Sequence, residues 1–186
     1  MIYLRDDIQD FDFEASLPLL SDQRREQALK FRHEQGRKTC AMAYLMLCEG
    51  LQQEYGITEK PLFTYSEHGK PYLDGYPDIR FNLSHCREAV VCAISSRPVG
   101  IDVESIREYK DSLARYTMND GEMDIITHAV NPALAFTRLW TMKEALLKQT
   151  GTGIVTDMRA VLSGHDDFTT VENVGKGYVF SVLYGK

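Results

Sequence analysis

The sequence predicts an α+β fold, on three observations. Residues 80–104 hold three strand-like runs in direct succession, Arg80–Ser84, Ala89–Ser95 and Pro98–Glu104, all rich in β-branched or apolar residues. Apolar residues at helical spacing fall in separate blocks, around residues 37–55 and 131–149. Strands that come in runs, instead of alternating with helices, argue against a doubly wound parallel sheet.

Element by element, residues 1–5 form a short strand in which Ile2 and Leu4 alternate with Tyr3 and Arg5. Ser21 suits the N-cap of a helix through Arg24, Arg25, Leu29, Lys30 and Phe31, which Gly36 is expected to interrupt. A second helix carries Ala41, Tyr44, Leu45, Cys48 and Leu51 and ends near Gly56. Prolines and glycines among short apolar pieces make 61–80 a strand and a wide loop. After the three central strands, 105–130 is irregularly helical with Gly121 as a break. Asn131-Pro132 then starts a helix to about Gln149, closed by Gly151 and Gly153. Short strands are expected near Met158–Leu162, Phe168–Glu172 and Tyr178–Tyr184. Both halves of the chain thus place a helix before strands, without a detectable sequence repeat.

Composition narrows the function classes. With 186 residues, 44% hydrophobic and 26% charged, the chain can bury a core without disulfides. A formal net charge of −6 argues against a general nucleic-acid binder, while leaving room for a local basic pocket. The opening MIYLRDDIQDFDFE lacks a basic segment leading into an apolar run, so no signal peptide is expected. No stretch reaches the ~18 apolar residues of a membrane span. Cys40, Cys48, Cys86 and Cys92 fit no zinc or redox spacing, which favours reduced thiols and a cytoplasmic location.

Four segments carry candidate chemistry. In VGIDVE, residues 99–104, strand alternation sends Val99, Ile101 and Val103 to one face and Gly100, Asp102 and Glu104 to the other. Two neighbouring carboxylates on an apolar strand repel unless a cation neutralises them, although a solvated strand end is the plainer reading. In LWTMKEALLKQTGTG, residues 139–153, Trp140, Glu144 and Lys148 stand four apart and share a helix face, with Lys143 one step round. An amphipathic helix with a wet Glu–Lys pair explains that segment equally well. Together the two segments supply oxygen-only ligands suited to magnesium and a lysine suited to phosphate. RFNLSHC, residues 80–86, ends a strand with Ser84 and His85, which could hold a phosphate; alternatively it forms a turn with Asn82 on local backbone. In SEHGKPYL, residues 66–73, Lys70 sits at a tight loop and is otherwise a solvated lysine.

In order, GKP at 69–71, FNLSH at 81–85, VGIDVE at 99–104 and LWTMKEALLK at 139–148 resemble the Sfp-type phosphopantetheinyl transferases. The resemblance implies two similar α/β halves in a pseudo-dimeric arrangement, residues 1–97 and 98–186, with coenzyme A in the cleft between them. It implies transfer of 4'-phosphopantetheine from coenzyme A to a serine of an apo acyl or peptidyl carrier protein, releasing adenosine 3',5'-bisphosphate. By the same resemblance Asp102, Glu104 and Glu144 would hold Mg2+, with Glu144 also the candidate base. Lys148 would bind the pyrophosphate and stabilise the leaving group, while Lys143 would contact phosphate. Ser84 and His85 would meet the adenine nucleotide, His85 at its 3'-phosphate. Lys70 would add a further contact, and Arg37 is the choice among the basic residues 24–38 for the 3'-phosphate. Segment 105–135 would dock the carrier, with Tyr109, Leu113, Tyr116 and Met118 as its apolar contacts or, equally, as core residues. Members of this size imply a monomer. A non-catalytic coenzyme A or nucleotide-binding module of the same fold, and a magnesium-dependent phosphohydrolase, are the competing classes.

Overall fold

A computed structural model describes residues 1–153 and 157–185. The chain begins with strand β1 (Ile2–Arg5), a short helix α1 (Phe13–Ser16) and helix α2 (Asp22–Leu29). The Ser21 side chain caps α2 by accepting from the Arg24 N–H, as its sequence position predicts. Helix α3 (Glu34–Tyr55) then runs for 22 residues and closes on Gly56, whose φ of 69° is the left-handed conformation of a helix C-cap.

The break between α2 and α3 lies at residues 30–33, not at Gly36. His33 turns extended and starts a new helix, so Gly36 sits inside its first turn, where glycine costs little. The missing side chain at Gly36 makes room for the Phe31 ring: an added Cβ would stand 2.7 Å from a ring carbon.

A hairpin of β2 (Phe63–Tyr65) and β3 (Pro71–Leu73) fills the region read as strand and loop. Strands β4 (Arg80–His85), β5 (Val90–Ser95) and β6 (Val99–Ser105) follow. Helices α4 (Asp111–Thr117) and α5 (Asp120–His128) occupy the irregular segment. Gly121 does not break it. Asn119 and Glu122 form a reciprocal capping box that starts α5, and Gly121 falls within its first turn. Helix α6 (Pro132–Thr150) starts on the Asn131 cap and stops at Gly151, φ 72°. The strand expected at Met158–Leu162 is instead a 3-10 turn at Met158–Ala160. Asp157 accepts from the Arg159 N–H there, a local side-chain bond that favours a turn over a strand. Strands β7 (Thr169–Asn173) and β8 (Tyr178–Tyr184) complete the described chain.

Besides the β2-β3 hairpin, two three-stranded antiparallel sheets form among the described residues, β1-β5-β4 and β6-β8-β7. Strand β5 is buried on both faces, and alternation explains how. Val90, Cys92 and Ile94 join the core beneath α3, with Tyr44, Leu47 and Leu51. Ala89, Val91 and Ala93 face Val99, Ile101, Val103, Phe180 and Val182 of the second sheet. Strand β6 in turn offers its other face to α6. The order of layers is helix, sheet, sheet, helix. A third cluster, with Met118, Ile126, Phe136 and Leu139, joins α4 and α5 to α6.

Gly100 sets the approach of α6 to β6. An added Cβ would lie 1.9 Å from the Ala145 carbonyl oxygen and 2.4 Å from the Gln149 nitrogen, both backbone atoms that cannot swing aside. A glycine on this face lets the helix settle on the strand beside Asp102.

Candidate active site

The two sheets are not joined by backbone pairing between β4 and β6; side chains of β4 take its place. Asn82 Oδ1 accepts the Ile101 N–H at 2.8 Å, and Ser84 Oγ accepts the Val103 N–H at 3.3 Å. The FNLSH segment is therefore neither a local turn nor a free strand end. Its polar side chains satisfy the exposed edge of β6 over a gap of 19 residues.

Asp102 lies in this seam, 3% exposed. Its Oδ1 accepts the Ser84 hydroxyl at 2.9 Å and the Lys148 ammonium at 2.5 Å, and Lys148 also donates to Ser84 Oγ at 2.8 Å. The helical register read from the sequence delivers Lys148 here. Asp102 Oδ2 is buried and lacks a hydrogen-bond partner among the described residues.

Glu104 and Glu144 flank this cluster, each half-buried. Burial first, and then the Asp102 charge, push both carboxyls above their ordinary range; Lys148 pulls each the other way. Both carboxylates thus sense Asp102, as the alternation of VGIDVE and the face of α6 require. No group of three His, Cys, Asp or Glu side chains converges closely enough to hold a metal among the described residues. The residues nonetheless fit a hard divalent ion in two respects: the donors are all oxygen, and one buried carboxylate oxygen is orphaned.

Beside the cluster is a cavity of about 170 Å³ lined by His68, Lys70, Asn82, Glu144, Leu147 and Lys148. Lys70 reaches it from the β2–β3 loop, but its ammonium donates to the carbonyls of Lys148 and Gln149 at 2.6 and 2.7 Å. A cation on the last carbonyls of a helix satisfies orphaned acceptors and complements the helix dipole. Burial, then the Arg80 charge, lowers the Lys70 pKa. His85, one residue past Ser84, points outward. Although its surface is exposed, desolvation by the atoms packed around it, and then the Lys148 charge, lower its pKa below the usual imidazole value.

Two expected ligand contacts are placed elsewhere. Lys143 is fully buried, its ammonium 2.9 Å from Glu122 Oε1 and 2.8 Å from the Met158 carbonyl. It joins α6 to α5 and to the 3-10 turn, and the structure does not bring it to the cavity beside Lys148. Arg37 donates to the Phe31 carbonyl and lines a separate surface cavity with Phe13, Arg32 and Lys38. The structure does not bring it to Lys148. Of the residues expected to dock a partner, Met118 is core at 0% exposure and Tyr109 stacks on Phe136 at 4.6 Å. Leu113 and Tyr116 remain exposed. Leu113 borders a cavity of about 480 Å³ that Glu104 and Trp140 also line.

Sequence reasoning did not single out Asn82 or His68 as cavity residues, nor Glu122 as the partner of Lys143. The Asn82 and Glu122 pairings span 19 and 21 positions, and His68 arrives on the separate β2–β3 loop, which no local pattern displays.

Comparison with known proteins agrees with this geometry. A family model described as the 4'-phosphopantetheinyl transferase superfamily matches residues 98–185, which include Asp102, Glu104, Glu144 and Lys148. A 4'-phosphopantetheinyl transferase of Bacillus subtilis is 30% identical over 138 residues, 73% of this chain and 62% of the relative. The 4'-phosphopantetheinyl transferase Sfp of Bacillus subtilis strain 168 is 27% identical over 82% of this chain and 70% of its own length. The 4'-phosphopantetheinyl transferase gsp of Aneurinibacillus migulanus is 43% identical over 52% of this chain and 40% of its own. The chain thus spans between 40% and 70% of the length of these curated relatives. With this match across its second half and these relatives reaching into its first, the chain belongs to the 4'-phosphopantetheinyl transferase superfamily, among its Sfp-type members.

Proposed function

We propose that the protein transfers the 4'-phosphopantetheine group of coenzyme A to a serine of an apo acyl or peptidyl carrier protein, with magnesium as cofactor. The observation that carries this reading is buried Asp102, with Lys148 and Ser84 on Oδ1, Oδ2 unpartnered, and Glu104 and Glu144 beside it. A pure binding module has no need of a half-buried carboxylate with a raised pKa next to a phosphate-sized cavity.

In this reading Asp102, Glu104 and Glu144 hold the ion. Magnesium, when bound, would neutralise the diphosphate and polarise the phosphorus under attack. The serine Oγ bonds to the phosphorus carrying pantetheine as the P–O bond to adenosine 3',5'-bisphosphate breaks, and the serine proton passes to Glu144. Burial raises the Glu144 pKa, which brings it nearer the range of an effective general base. Lys148, already 2.5 Å from Asp102, is placed to meet charge building on the leaving bisphosphate. His85 and Lys70 would serve the nucleotide end, His85 at the 3'-phosphate.

The layering supports two similar α/β halves in a pseudo-dimeric arrangement, meeting near residues 97–98. The exposed Leu113, which borders the cavity that Glu104 lines, and the exposed Tyr116 of the same helix suit the carrier protein. We read the protein as a cytoplasmic monomer; its four cysteines are free, and none of the described helices is long and apolar enough to cross a membrane.

Incubation with coenzyme A, magnesium and an apo carrier, followed by mass measurement of the carrier, tests the proposal. A gain of one phosphopantetheine is expected. Tight coenzyme A binding with no gain on several carriers would instead identify a non-catalytic module. Coenzyme A cleavage without a carrier would identify a hydrolase.

A further inference from the structure

Asn82 is 6% exposed and stands where β4 meets β6. Its Oδ1 is committed to the Ile101 N–H at 2.8 Å. A side-chain amide has one accepting and one donating end, so a backbone N–H on Oδ1 fixes which way the group faces. Its Nδ2 donates to no acceptor among the described residues, and the side chain lines the cavity that holds Lys70, Lys148, Glu144 and His68. The nitrogen is not sealed in the core with the orphaned atoms but is open to the cavity, free to meet an acceptor there. This donor is prepaid in orientation: no rotamer search is needed when an acceptor arrives.

The neighbours select the acceptor. Lys148 and Lys70 both line the cavity with Asn82; the Lys70 ammonium donates to the last carbonyls of α6 and the Lys148 ammonium to Asp102 and Ser84, so both positive charges lie close to it. Two cations and a neutral N–H donor match the non-bridging oxygens of a phosphoanhydride better than a carbonyl or a sugar hydroxyl.

Resting on the proposed use of coenzyme A, we propose that Asn82 is a binding residue for the diphosphate of the co-substrate. Its Nδ2 donates to a phosphoanhydride oxygen while its Oδ1 holds β6, and with it Asp102, in register. One side chain thereby ties ligand recognition to the strand that carries the candidate metal ligand.

The test compares wild type with Asn82→Asp and Asn82→Leu, using inorganic pyrophosphate and coenzyme A separately as calorimetric probes, without divalent ion. Aspartate keeps an oxygen for the Ile101 N–H but turns the donor into an acceptor; leucine removes both ends. Asn82→Asp is expected to keep a melting temperature near wild type and to weaken both probes about tenfold, the scale of one hydrogen bond to a charged group. Asn82→Leu should lose affinity and stability together. Wild-type affinity retained in Asn82→Asp, or a loss that disappears in high salt and so reports only charge repulsion, overturns the proposal. As a readout independent of any variant's folding, the Asn82 side-chain N–H₂ resonances of the wild-type protein should shift when pyrophosphate binds; no shift at saturation also overturns it. Pyrophosphate binding without coenzyme A binding would refute the coenzyme reading while leaving the Asn82 comparison intact. Binding of neither probe by the wild type, with or without magnesium, refutes both.

Discussion

Lys148 reaches from α6 to within 2.5 Å of Asp102 Oδ1, and the Ser84 hydroxyl bonds to both partners. A carboxylate 3% exposed needs a neutralising partner, and here the lysine provides it. If Asp102 is a magnesium ligand, the ion and Lys148 share one carboxylate. Lys148→Met should therefore lower stability by roughly 2 kcal/mol, the buried-pair scale reduced because the lysine side chain is 30% exposed. Magnesium should then raise the melting temperature of this variant more than that of wild type, because binding to the native state alone stabilises it. Transfer should drop at least about a hundredfold, as expected for loss of a group that stabilises leaving charge. Melting curves with and without magnesium decide the point: equal shifts in both proteins would remove Asp102 from the ligand set.

Lys143 and Glu122 make the opposite kind of pair, remote from the cavity and sealed in the core at 0% and 8% side-chain exposure. Removing one partner leaves a buried charge alone, so Lys143→Met should cost roughly 3–5 kcal/mol. The double variant Lys143→Met, Glu122→Gln removes both charges and should recover much of that loss, since residues in contact are not additive. Glutamine keeps an oxygen for the Asn119 N–H that the capping box requires. Coenzyme A affinity of the folded double variant should stay within about twofold of wild type, as for a residue remote from the ligand. A tenfold loss in calorimetry would restore Lys143 as a phosphate contact.

The contrast between these two lysines shows what the sequence could convey. Trp140, Glu144 and Lys148 were legible because helical spacing is local, and so was the alternation that places Gly100, Asp102 and Glu104 on one face of β6. The Asn131 and Ser21 caps and the closing glycines Gly56 and Gly151 were legible for the same reason. Lys143 was not, because its partner Glu122 arrives on another helix. Gly36 and Gly121 misled because glycine breaks a helix only when the neighbouring caps agree; each sits in a first turn that other residues start. Asn82 looked like a turn former, yet its acceptor is spent on Ile101 in the adjoining sheet. The local pattern named the chemistry, and the contacts between layers decided which residues are free to perform it.

His85 allows a test of the nucleotide end by pH. Its imidazole titrates below the ordinary value of about 6.5 because desolvation, and then the Lys148 charge, disfavour the cation. Since the unfolded chain holds that proton more tightly, His85 lowers stability as pH falls through the unfolded value, and the loss is complete below the folded one. A bound 3'-phosphate reverses the bias, because an adjacent anion favours imidazolium. Binding should then take up a proton, and affinity should rise as pH falls through the bound-state pKa and level off below the free-state pKa. Phosphate monoesters gain their own proton near pH 6, so the useful window lies above that, between about pH 6.5 and 7.5. Coenzyme A and its analogue lacking the 3'-phosphate should be titrated calorimetrically across this window. The difference between them should grow toward the acid side in wild type and stay flat in His85→Ala. Equal pH slopes for the two ligands in wild type would place the 3'-phosphate away from His85.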